Sequence, residues 1–238
     1  MTSSNPQLIL NLRLRDAATF ATYYQGPNAG AVSSLAALAQ RGHSHKGAGG
    51  QVYLWGAHAT GKSHLLQALC HEFSRQEMSS VYIPLKAFNT SDVAILKDLS
   101  GLSLVCVDDL DVVIQDRGWE MGLFNLVNVS QQTGHALVLA SQQNPARFNG
   151  VLPDLTSRLL WGPVFKLQSL DDSGKLVALH AHARQRGISL SDEAARYLLN
   201  YYPRDLVSLL EVLDRLDASS LAAKRRLTVP FIKSVLEG

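Results

Sequence analysis

The sequence contains few cysteines, no long hydrophobic run and no large excess of charge of either sign. Cys70 and Cys106 are its two cysteines. Because they lie far apart in apolar segments, we expect buried thiols in a reducing compartment. No stretch approaches the run of about 18 apolar residues that a membrane span needs, and the N-terminal residues lack the apolar core of a secretory signal. We therefore expect a cytoplasmic protein without membrane-spanning segments.

Charge and histidine patterns argue against two further classes of protein. The chain has 22 Lys and Arg against 20 Asp and Glu, a net charge of +2, and its longest basic run is KRR at 224–226. A free-standing nucleic-acid-binding protein usually carries a basic face or tail. The histidines are not spaced with cysteines or carboxylates as zinc ligands are. The three tryptophans, Trp55, Trp119 and Trp161, are expected to anchor the core.

Apolar segments alternate with helical patterns over most of the chain. Uninterrupted apolar strands that alternate with helices predict an α/β fold, with a parallel sheet between layers of helices. After 164–170 the strands stop and only helical patterns follow. We predict a tail at 1–15, an αβα domain at 16–166 and a small all-helical subdomain at 167–238. The predicted strands are 51–56, 80–85, 102–109, 136–142 and 164–170, and the predicted helices are 32–41, 62–75, 119–132, 171–186, 191–201, 203–217 and 229–237.

The segment GAHATGKS, residues 56–63, matches the phosphate-binding loop pattern G-x-x-x-x-G-K-S. Its glycines allow a tight turn in which successive N–H groups surround an anion. Lys62 adds a charge for the β- and γ-phosphates, and Ser63 offers a hydroxyl to Mg²⁺. The loop follows a predicted strand and opens a predicted helix, as the motif requires; a glycine loop that merely makes a tight turn is the alternative. The candidate nucleotide-binding residues are Gly56, Ala57, His58, Ala59, Thr60, Gly61, Lys62, Ser63 and His64.

Two adjacent carboxylates end the predicted strand LSLVCVDD. Asp108 and Asp109 would emerge at its C-terminal end, at the edge where open α/β sheets bind their ligands. Asp108 is predicted to hold Mg²⁺ through water, and Asp109 to orient or deprotonate an attacking water as a catalytic residue. The alternative is that the pair only caps the next turn.

The order of these motifs resembles that of the AAA+ ATPases with their P-loop NTPase core and helical lid, and in detail the replication initiator DnaA. The segment TFATYYQGPN (19–28) is similar to the one that opens the DnaA nucleotide domain and borders its adenine pocket. The segment LASQQNP (139–145) resembles the sensor-1 strand. This resemblance implies that Ser141 and Gln142 lie near the γ-phosphate, with Gln142 among the nucleotide-binding residues.

Two arginines fall on family positions that act on phosphates. LPDLTSRLLWG resembles the DnaA segment that carries an arginine finger, here Arg158, and YPRDLVSLLEVLDRLD resembles the lid helix with the sensor-2 arginine, here Arg204. Arg204 is expected in the first turn of a helix, where a cation opposes the helix dipole unless an anion compensates it. The alternatives are pairing of Arg204 with Asp205 or solvent, and an i,i+4 ion pair between Arg158 and Asp154.

The N-terminal segment QLILNL resembles the short peptide by which proteins dock on the bacterial β sliding clamp, of form Q-L-x-L-P-L. The clamp-binding residues implied are Gln7, Leu8, Leu10 and Leu12, with the glutamine at the rim of a pocket and leucines in apolar subsites. Asn11 stands where the pattern commonly has proline, which costs preorganisation. An edge strand with its leucines on one face is the alternative.

Together these features resemble the DnaA-related family of regulatory inactivators, the Hda proteins. In that family an ADP-bound protein docked on the DNA-loaded clamp stimulates hydrolysis of the ATP held by DnaA. The resemblance implies ADP or ATP with Mg²⁺ as ligands, DnaA and the β clamp as partners, and Arg158 as a finger offered in trans, away from the chain's own Lys62 and Ser63. An arginine supplied in trans can accelerate hydrolysis by about 10³–10⁵. Since the sequence ends at Gly238, soon after the lid, no duplex-binding domain is expected.

Two other functions are compatible with the sequence. One is an AAA+ motor or helicase loader that turns over its own ATP in a homo-oligomer, and the other is a nucleotide-binding scaffold without effect on any ATPase. Asp109 is one methylene shorter than the glutamate common in AAA+ motors, which favours weak intrinsic turnover. The retained nucleotide and the oligomeric state stay open.

Overall fold

The structure, a computed structural model, describes residues 14, 18–44, 50–223 and 227–236. The predicted clamp-binding residues Gln7, Leu8, Leu10 and Leu12 lie outside the described residues. The strands are β1 (Gln51–Trp55), β2 (Ser80–Pro84), β3 (Leu104–Asp108), β4 (Ala136–Ser141) and β5 (Val164–Lys166). The helices are α1 (Ala29–Ser44), α2 (Lys62–Arg75), α3 (Arg117–Thr133), α4 (Pro153–Leu159), α5 (Asp172–Gln185), α6 (Asp192–Tyr201), α7 (Leu206–Ala223) and α8 (Val229–Leu236).

The strands form one parallel sheet of 5 strands in the order β2-β3-β4-β1-β5. Both β3 and β4 are buried along their whole length, as strands covered on both faces are. The register pairs Trp55 with Ser141, and Pro84 with Asp108. The C-terminal ends of these strands therefore meet at one edge, which brings the phosphate loop beside the acidic pair. The predicted α/β fold is confirmed.

Alternate residues of each strand face two separate hydrophobic cores. On one face Leu54 packs with Cys70 and Cys106 among residues of α1 and α2, and both cysteines are free and buried, as predicted. On the other face Tyr53 packs with Trp119 of α3 and with residues of α4. Each helix layer thus buries its apolar side against the sheet, and the polar ends of the strands are left to form sites.

The C-terminal residues form a small helical subdomain around a third core. The side chain of Asp171 caps α5 by accepting a hydrogen bond from the Gly174 N–H, and that of Ser191 caps α6 through the Ala194 N–H. Leucines of α5, α6 and α7 and the Phe231 ring of α8 make up this core. The predicted all-helical lid after the sheet is confirmed.

Two local predictions are wrong, and one helix was not predicted. The helix α4 has no counterpart among the predicted helices, because its 7 residues are too few to show a helical period. The lid helix predicted from residue 203 begins at Leu206. Its cap is Asp205, whose carboxylate accepts the Ser208 N–H at 2.9 Å, so the helix starts only after this residue. Trp119 is buried, as predicted, but Trp161 is 49% exposed and does not anchor the core.

Candidate functional site

The loop between β1 and α2 has the backbone that a phosphate-binding loop requires. Gly61 has a φ of +90°, and α2 begins at the next residue, Lys62. A Cβ on Gly61 would lie 2.5 Å from the Tyr23 ring, and one on Gly56 would lie 2.5 Å from the Leu167 carbonyl oxygen. Since a side chain fits at neither position, the two glycines of the motif are required by the packing as well as by the turn.

Lys62 lies inside this loop and is bonded to it. Its Nζ donates to the carbonyl oxygens of Gly56 at 2.7 Å and of Ala57 at 2.9 Å. Burial lowers the pKa of Lys62, and the charge of Asp108 acts in the opposite direction. The ammonium is held by neutral acceptors in a desolvated position, where phosphate oxygens would bind it more strongly than carbonyls do.

Asp108 ends β3 in a fully buried position behind the loop. It accepts hydrogen bonds from the Tyr82 hydroxyl and from the Asp109 N–H, both at 2.9 Å. The Ser63 hydroxyl also bonds to it. Burial raises the pKa of Asp108, and its bonds to Ser63 and Tyr82 oppose that shift. The structure therefore brings together the carboxylate and the hydroxyl that were predicted to serve Mg²⁺.

Asp109 faces the cavity but is already paired. Its backbone is left-handed, with a φ of +60°, a conformation that aspartate tolerates better than most residues do. The Lys86 ammonium, just after β2, lies 2.5 Å from its carboxylate. The Asp109 carboxylate therefore already contacts a cation of the protein, which competes with any water that would bind there.

Ser141, the last residue of β4, and Gln142, which follows it, have different surroundings. Gln142 lines the cavity, and its N–H donates to the Asp111 carboxylate at 2.6 Å. Ser141 is fully buried, accepts the Tyr53 hydroxyl at 2.8 Å and donates to the Gln143 carbonyl. The structure thus brings Gln142, but not Ser141, to the cavity.

A cavity of about 330 Å³ lies between the loop, the segment before α1 and the lid. Tyr23 and Tyr24 border it at one end, and His182 and Asp214 of the lid border it on another side. Its size falls within the usual range of ligand pockets, about 300–1,000 Å³. The predicted site residues that line it are His58, Ala59, Thr60, Gly61, Lys62, Ser63, His64, Asp109 and Gln142.

His64 connects the first domain to the lid. Its Nε2 lies 2.9 Å from the Thr19 carbonyl oxygen, and its ring meets that of His182 edge-on, with centroids 5.8 Å apart. Burial, with His64 and the Arg186 charge as smaller causes, lowers the pKa of His182 to about 4. The His182 ring is therefore neutral near pH 7 where the lid contacts His64.

Arg204 is not among the residues that line the cavity. It precedes the α7 cap, is exposed, and its guanidinium pairs with the Asp172 carboxylate at the start of α5. The anion beside Arg204 is thus Asp172, a neighbouring lid residue, whereas the Asp205 carboxylate caps α7. Arg204 would need to leave Asp172 to reach a ligand in the cavity.

Arg158 lies far from the phosphate loop. The side chain of Gln51, the first residue of β1, donates to the Arg158 carbonyl oxygen, whereas the loop follows the other end of β1. The guanidinium lies over the Trp161 ring, 3.8 Å from its centroid, and 5.5 Å from that of Phe124. Among the ion pairs of the described residues, none joins Arg158 to Asp154. The guanidinium of this partly exposed residue thus contacts aromatic rings and lies away from the phosphate loop.

Sequence reasoning missed Lys86, Tyr82 and the cavity residues of the lid. Lys86 follows β2, so the argument that placed Asp108 at a strand end would also have brought this lysine to the same edge. Tyr82 lies in the middle of β2, and nothing in the sequence pattern distinguishes it as a residue of the site. His182 and Asp214 reach the cavity only because α5 and α7 pack as they do, and no local pattern predicts that packing.

The residues present fit an adenine nucleotide with Mg²⁺. The loop N–H groups, Lys62 and the start of α2 suit an anion, and the apolar edges of Tyr23 and Leu206 suit a flat base. Among the described residues, no group of three or more His, Cys, Asp or Glu could hold a metal by itself. Mg²⁺ would therefore be held by Ser63 and Asp108 jointly with phosphate oxygens. None of the described helices is long and apolar enough to cross a membrane.

Comparison with known proteins agrees with this fold and site. The family model of the bacterial DnaA ATPase domain matches residues 14–166, and that of the Hda lid domain matches residues 172–236. Domain III of Thermotoga maritima DnaA is 20% identical with a TM-score of 0.79, and the match covers 94% of this chain and 98% of that chain. AMPPCP-bound DnaA from Aquifex aeolicus is 17% identical with a TM-score of 0.66, covering 88% and 68%. The RuvB branch migration motor of Thermotoga maritima is 17% identical with a TM-score of 0.64, covering 90% and 68%.

The fold and the phosphate site define the class of the protein, an AAA+ P-loop protein with a helical lid. The chain belongs to the family of the bacterial DnaA ATPase domain, and its lid makes it a Hda-type, DnaA-related AAA+ protein. Its role is related to the initiation of DNA replication. The solved structures share so few identities that they support the fold alone.

Proposed function

We propose that this protein is a negative regulator of replication initiation, which stimulates hydrolysis of DnaA-bound ATP by supplying Arg158 in trans. The family supports a partner of the DnaA type. The observation that carries the proposal is the position of Arg158. Its carbonyl is bonded to the first residue of β1 and the phosphate loop follows the last, so the two sites are separated by the length of a strand, about 16 Å.

This separation leaves Arg158 unable to act on a nucleotide in its own cavity. A guanidinium at the edge of one molecule can instead face the γ-phosphate of a neighbouring one, where charge develops during phosphoryl transfer. The surroundings of Arg158 suit such a role, because Trp161 beside it is half exposed and an exposed cation–π contact costs only about 0.5–1 kcal/mol to break.

The proposal gives the chain's own nucleotide a structural role. ADP or ATP would occupy the cavity with its phosphates on the loop and Lys62, and Mg²⁺ would supply charge for the phosphate oxygens. Because Lys86 holds Asp109, the residue expected to activate water is occupied, and own hydrolysis would be weak. AMPPCP in the Aquifex aeolicus DnaA structure supports an adenine nucleotide as the ligand.

Docking on the β sliding clamp is the second part of the proposal. It is supported by the sequence of residues 7–12 alone, which resembles the clamp-binding peptide. A clamp-bound molecule would be held at high local concentration near DNA, where the partner ATPase also acts. The proposed partners are accordingly DnaA and the clamp.

The test is phosphate release from DnaA–ATP in the presence of DNA-loaded clamp. Arg158→Ala should remove nearly all stimulation while nucleotide affinity, clamp binding and thermal stability stay close to wild type. Lysine at the same position should rescue poorly, because it lacks the planar fork that spans two oxygens. Arg184→Ala, which removes an exposed lid arginine, is the matched control and should stimulate normally.

Two outcomes would contradict the proposal. Full stimulation by the Arg158→Ala variant would show that the arginine is not the active group and would favour a nucleotide-binding scaffold. Rapid turnover of the protein's own ATP, with assembly that depends on ATP and no effect on DnaA, would instead favour a motor or helicase loader.

A further inference from the structure

The short helix that carries Arg158 is fixed at both ends by side chains from elsewhere in the fold. At its start, the Leu152 N–H donates to the buried Glu120 carboxylate at 3.2 Å. At its end, the Gln51 Nε2 donates to the carbonyl oxygens of Arg158 at 2.8 Å and of Leu159 at 3.0 Å. Both partners are in the rigid sheet domain, since Gln51 starts β1 and Glu120 lies in α3.

These two contacts matter because α4 has 7 residues. A helix of this length has little stability of its own, and its last carbonyl groups have no partners within the helix. The carboxamide of Gln51 supplies donors to two of those groups. Because both of its contacts are to carbonyl oxygens, the NH₂ group must face the helix, which fixes the orientation of the amide.

The backbone of Gln51 is closely packed against the segment that precedes β5. Gly162, just before β5, packs so closely on it that a Cβ there would lie 2.0 Å from the Gln51 carbonyl oxygen. The next-but-one residue, Tyr53, donates its N–H to the Pro163 carbonyl at 2.9 Å. The position of Gln51 therefore constrains where the end of α4 lies.

Arg158 leaves the helix at this fixed end and turns onto Trp161. The Trp161 N–H donates to the Arg158 carbonyl oxygen at 3.2 Å, and the same carbonyl accepts from Gln51. The Arg158 carbonyl group therefore accepts hydrogen bonds both from Gln51, which contacts the end of the helix, and from Trp161, whose ring contacts the guanidinium. A shift of this peptide would move the ring and the arginine together.

We propose that Gln51 is a positioning residue for Arg158. Its carboxamide fixes the last turn of α4, so that the guanidinium lies over Trp161, where the phosphate of a neighbouring molecule can reach it. The effect on hydrolysis of DnaA-bound ATP rests on the proposed function, but the position of the Arg158 side chain can be measured in the isolated protein. Gln51 does not line the cavity beside the phosphate loop, so its substitution is not expected to act directly on a nucleotide there.

The first measurement is the NMR ring-current shift that Trp161 imposes on the side chain of Arg158. Gln51→Glu keeps the shape but removes both donors and places a negative charge at a helix C-terminus, which the helix dipole disfavours. Gln51→Met removes the donors without adding charge. Both variants should lose most of the shift, and Gln51→Lys, which restores an N–H donor with a favourable charge, should recover it. Gln131→Met, an exposed glutamine of α3, should leave it unchanged.

The second measurement is stimulated hydrolysis of DnaA-bound ATP over a range of protein concentrations. Gln51→Glu and Gln51→Met should lower the maximal rate about tenfold or more, because small misplacements of a catalytic group are costly. The half-saturating concentration and the affinity for ADP should change less than twofold, and Gln51→Lys should restore the rate. A general loss of stability would not be reversed by lysine and would not spare the half-saturating concentration.

The outcomes separate this inference from the proposed function. An unchanged ring-current shift in Gln51→Glu and Gln51→Met, or a full maximal rate in either, would overturn the positioning role. If the wild-type protein gave no stimulation at all, the proposed function would fail. The shift measured in the isolated protein would still decide whether Gln51 holds Arg158.

Discussion

The cations predicted or found to serve the phosphate site, two beside the loop and one in the lid, are each paired with an oxygen of the protein itself. Lys62 bonds to two loop carbonyls, Lys86 to Asp109, and Arg204 to Asp172. A nucleotide phosphate would therefore compete with existing partners. The competition is uneven, because Lys62 is buried among neutral carbonyls whereas Arg204 pairs in solvent, where an ion pair contributes little.

Lys62→Ala should lower the affinity for ADP about ten- to a hundredfold, since a hydrogen bond to a charged group is worth about 1.5–3 kcal/mol. Calorimetry measures this directly, with Lys97→Ala, which removes an exposed lysine, as the control. Thermal unfolding of both variants shows whether the fold is intact. Equal affinities of Lys62→Ala and wild type for ADP would show that the loop is not part of the nucleotide site.

Lys86→Met should raise the protein's own ATP hydrolysis, because it frees the Asp109 carboxylate to accept a proton from water. The expected rise is about tenfold, which is less than the 10²–10⁴ that a well-placed general base contributes. Single-turnover assays with radiolabelled ATP measure it, and Lys97→Met is the control. A fall in rate would mean that Lys86 serves the phosphates and does not restrain Asp109.

Particular residues show how far the sequence could predict the site. The loop, Lys62, Ser63 and Asp108 were predictable, because a contiguous motif and a strand end fix their neighbours. The pairing of Arg204 with Asp172 was not, because it depends on how two lid helices pack, and the helix pattern does not specify this.

At the scale of elements, the lid meets the first domain through a pair of histidines, of which His182 is neutral near pH 7. His182 on α5 contacts His64 on α2, and Arg186 also faces it. A charge on His182 would be buried beside other cations or potential cations, which is why its pKa falls. The lid contact should therefore be sensitive to acid.

The direction of the pH effect follows from linkage. The pKa of His182 is about 4 in the folded protein against an ordinary value of 6.5, so the stability it contributes is complete above about pH 6.5 and is lost as the pH falls toward 4. Urea unfolding near pH 7 and near pH 5 should show a smaller acid loss in His182→Leu than in wild type. His180→Leu is the control, and equal losses in wild type and His182→Leu would contradict the effect.

The elements also differ in how well they could be predicted. The strands β1, β2 and β4 were predicted to within one residue at each end and β3 to within two, because continuous apolar runs have few other interpretations. The helix α4 was missed, and Trp161 after it was expected in the core. A two-turn helix has no measurable period, and its placement depends on Glu120 and Gln51, which are distant in the sequence.

At the scale of the whole molecule, two regions would have to act together on a partner. One is the edge with Arg158, and the other is the N-terminal segment that resembles a clamp-binding peptide. Gln7→Ala with Leu10→Ala should abolish co-elution with the β clamp and leave nucleotide binding and thermal stability nearly unchanged. Ser3→Ala with Asn5→Ala is the control in the same segment.

A related change tests the same segment in the opposite direction. Asn11→Pro should tighten clamp binding, because proline reduces the conformations of the free peptide. Unfolding of the Gln7 and Leu10 double variant would favour the alternative, in which these residues form an edge strand of the fold.

The strand β1 connects the phosphate loop to the helix that carries Arg158. Gln51 at the start of β1 holds the arginine helix, and Gly56, directly after its last residue, opens the phosphate loop. Hydrogen bonds to β4 and β5 on either side keep the strand from stretching or sliding. The distance from the phosphate loop to the Arg158 backbone is therefore fixed by the strand. We expect a nucleotide on that loop to affect a neighbouring molecule through side chains, the lid or the orientation of the two molecules, and not through a change in the length of β1.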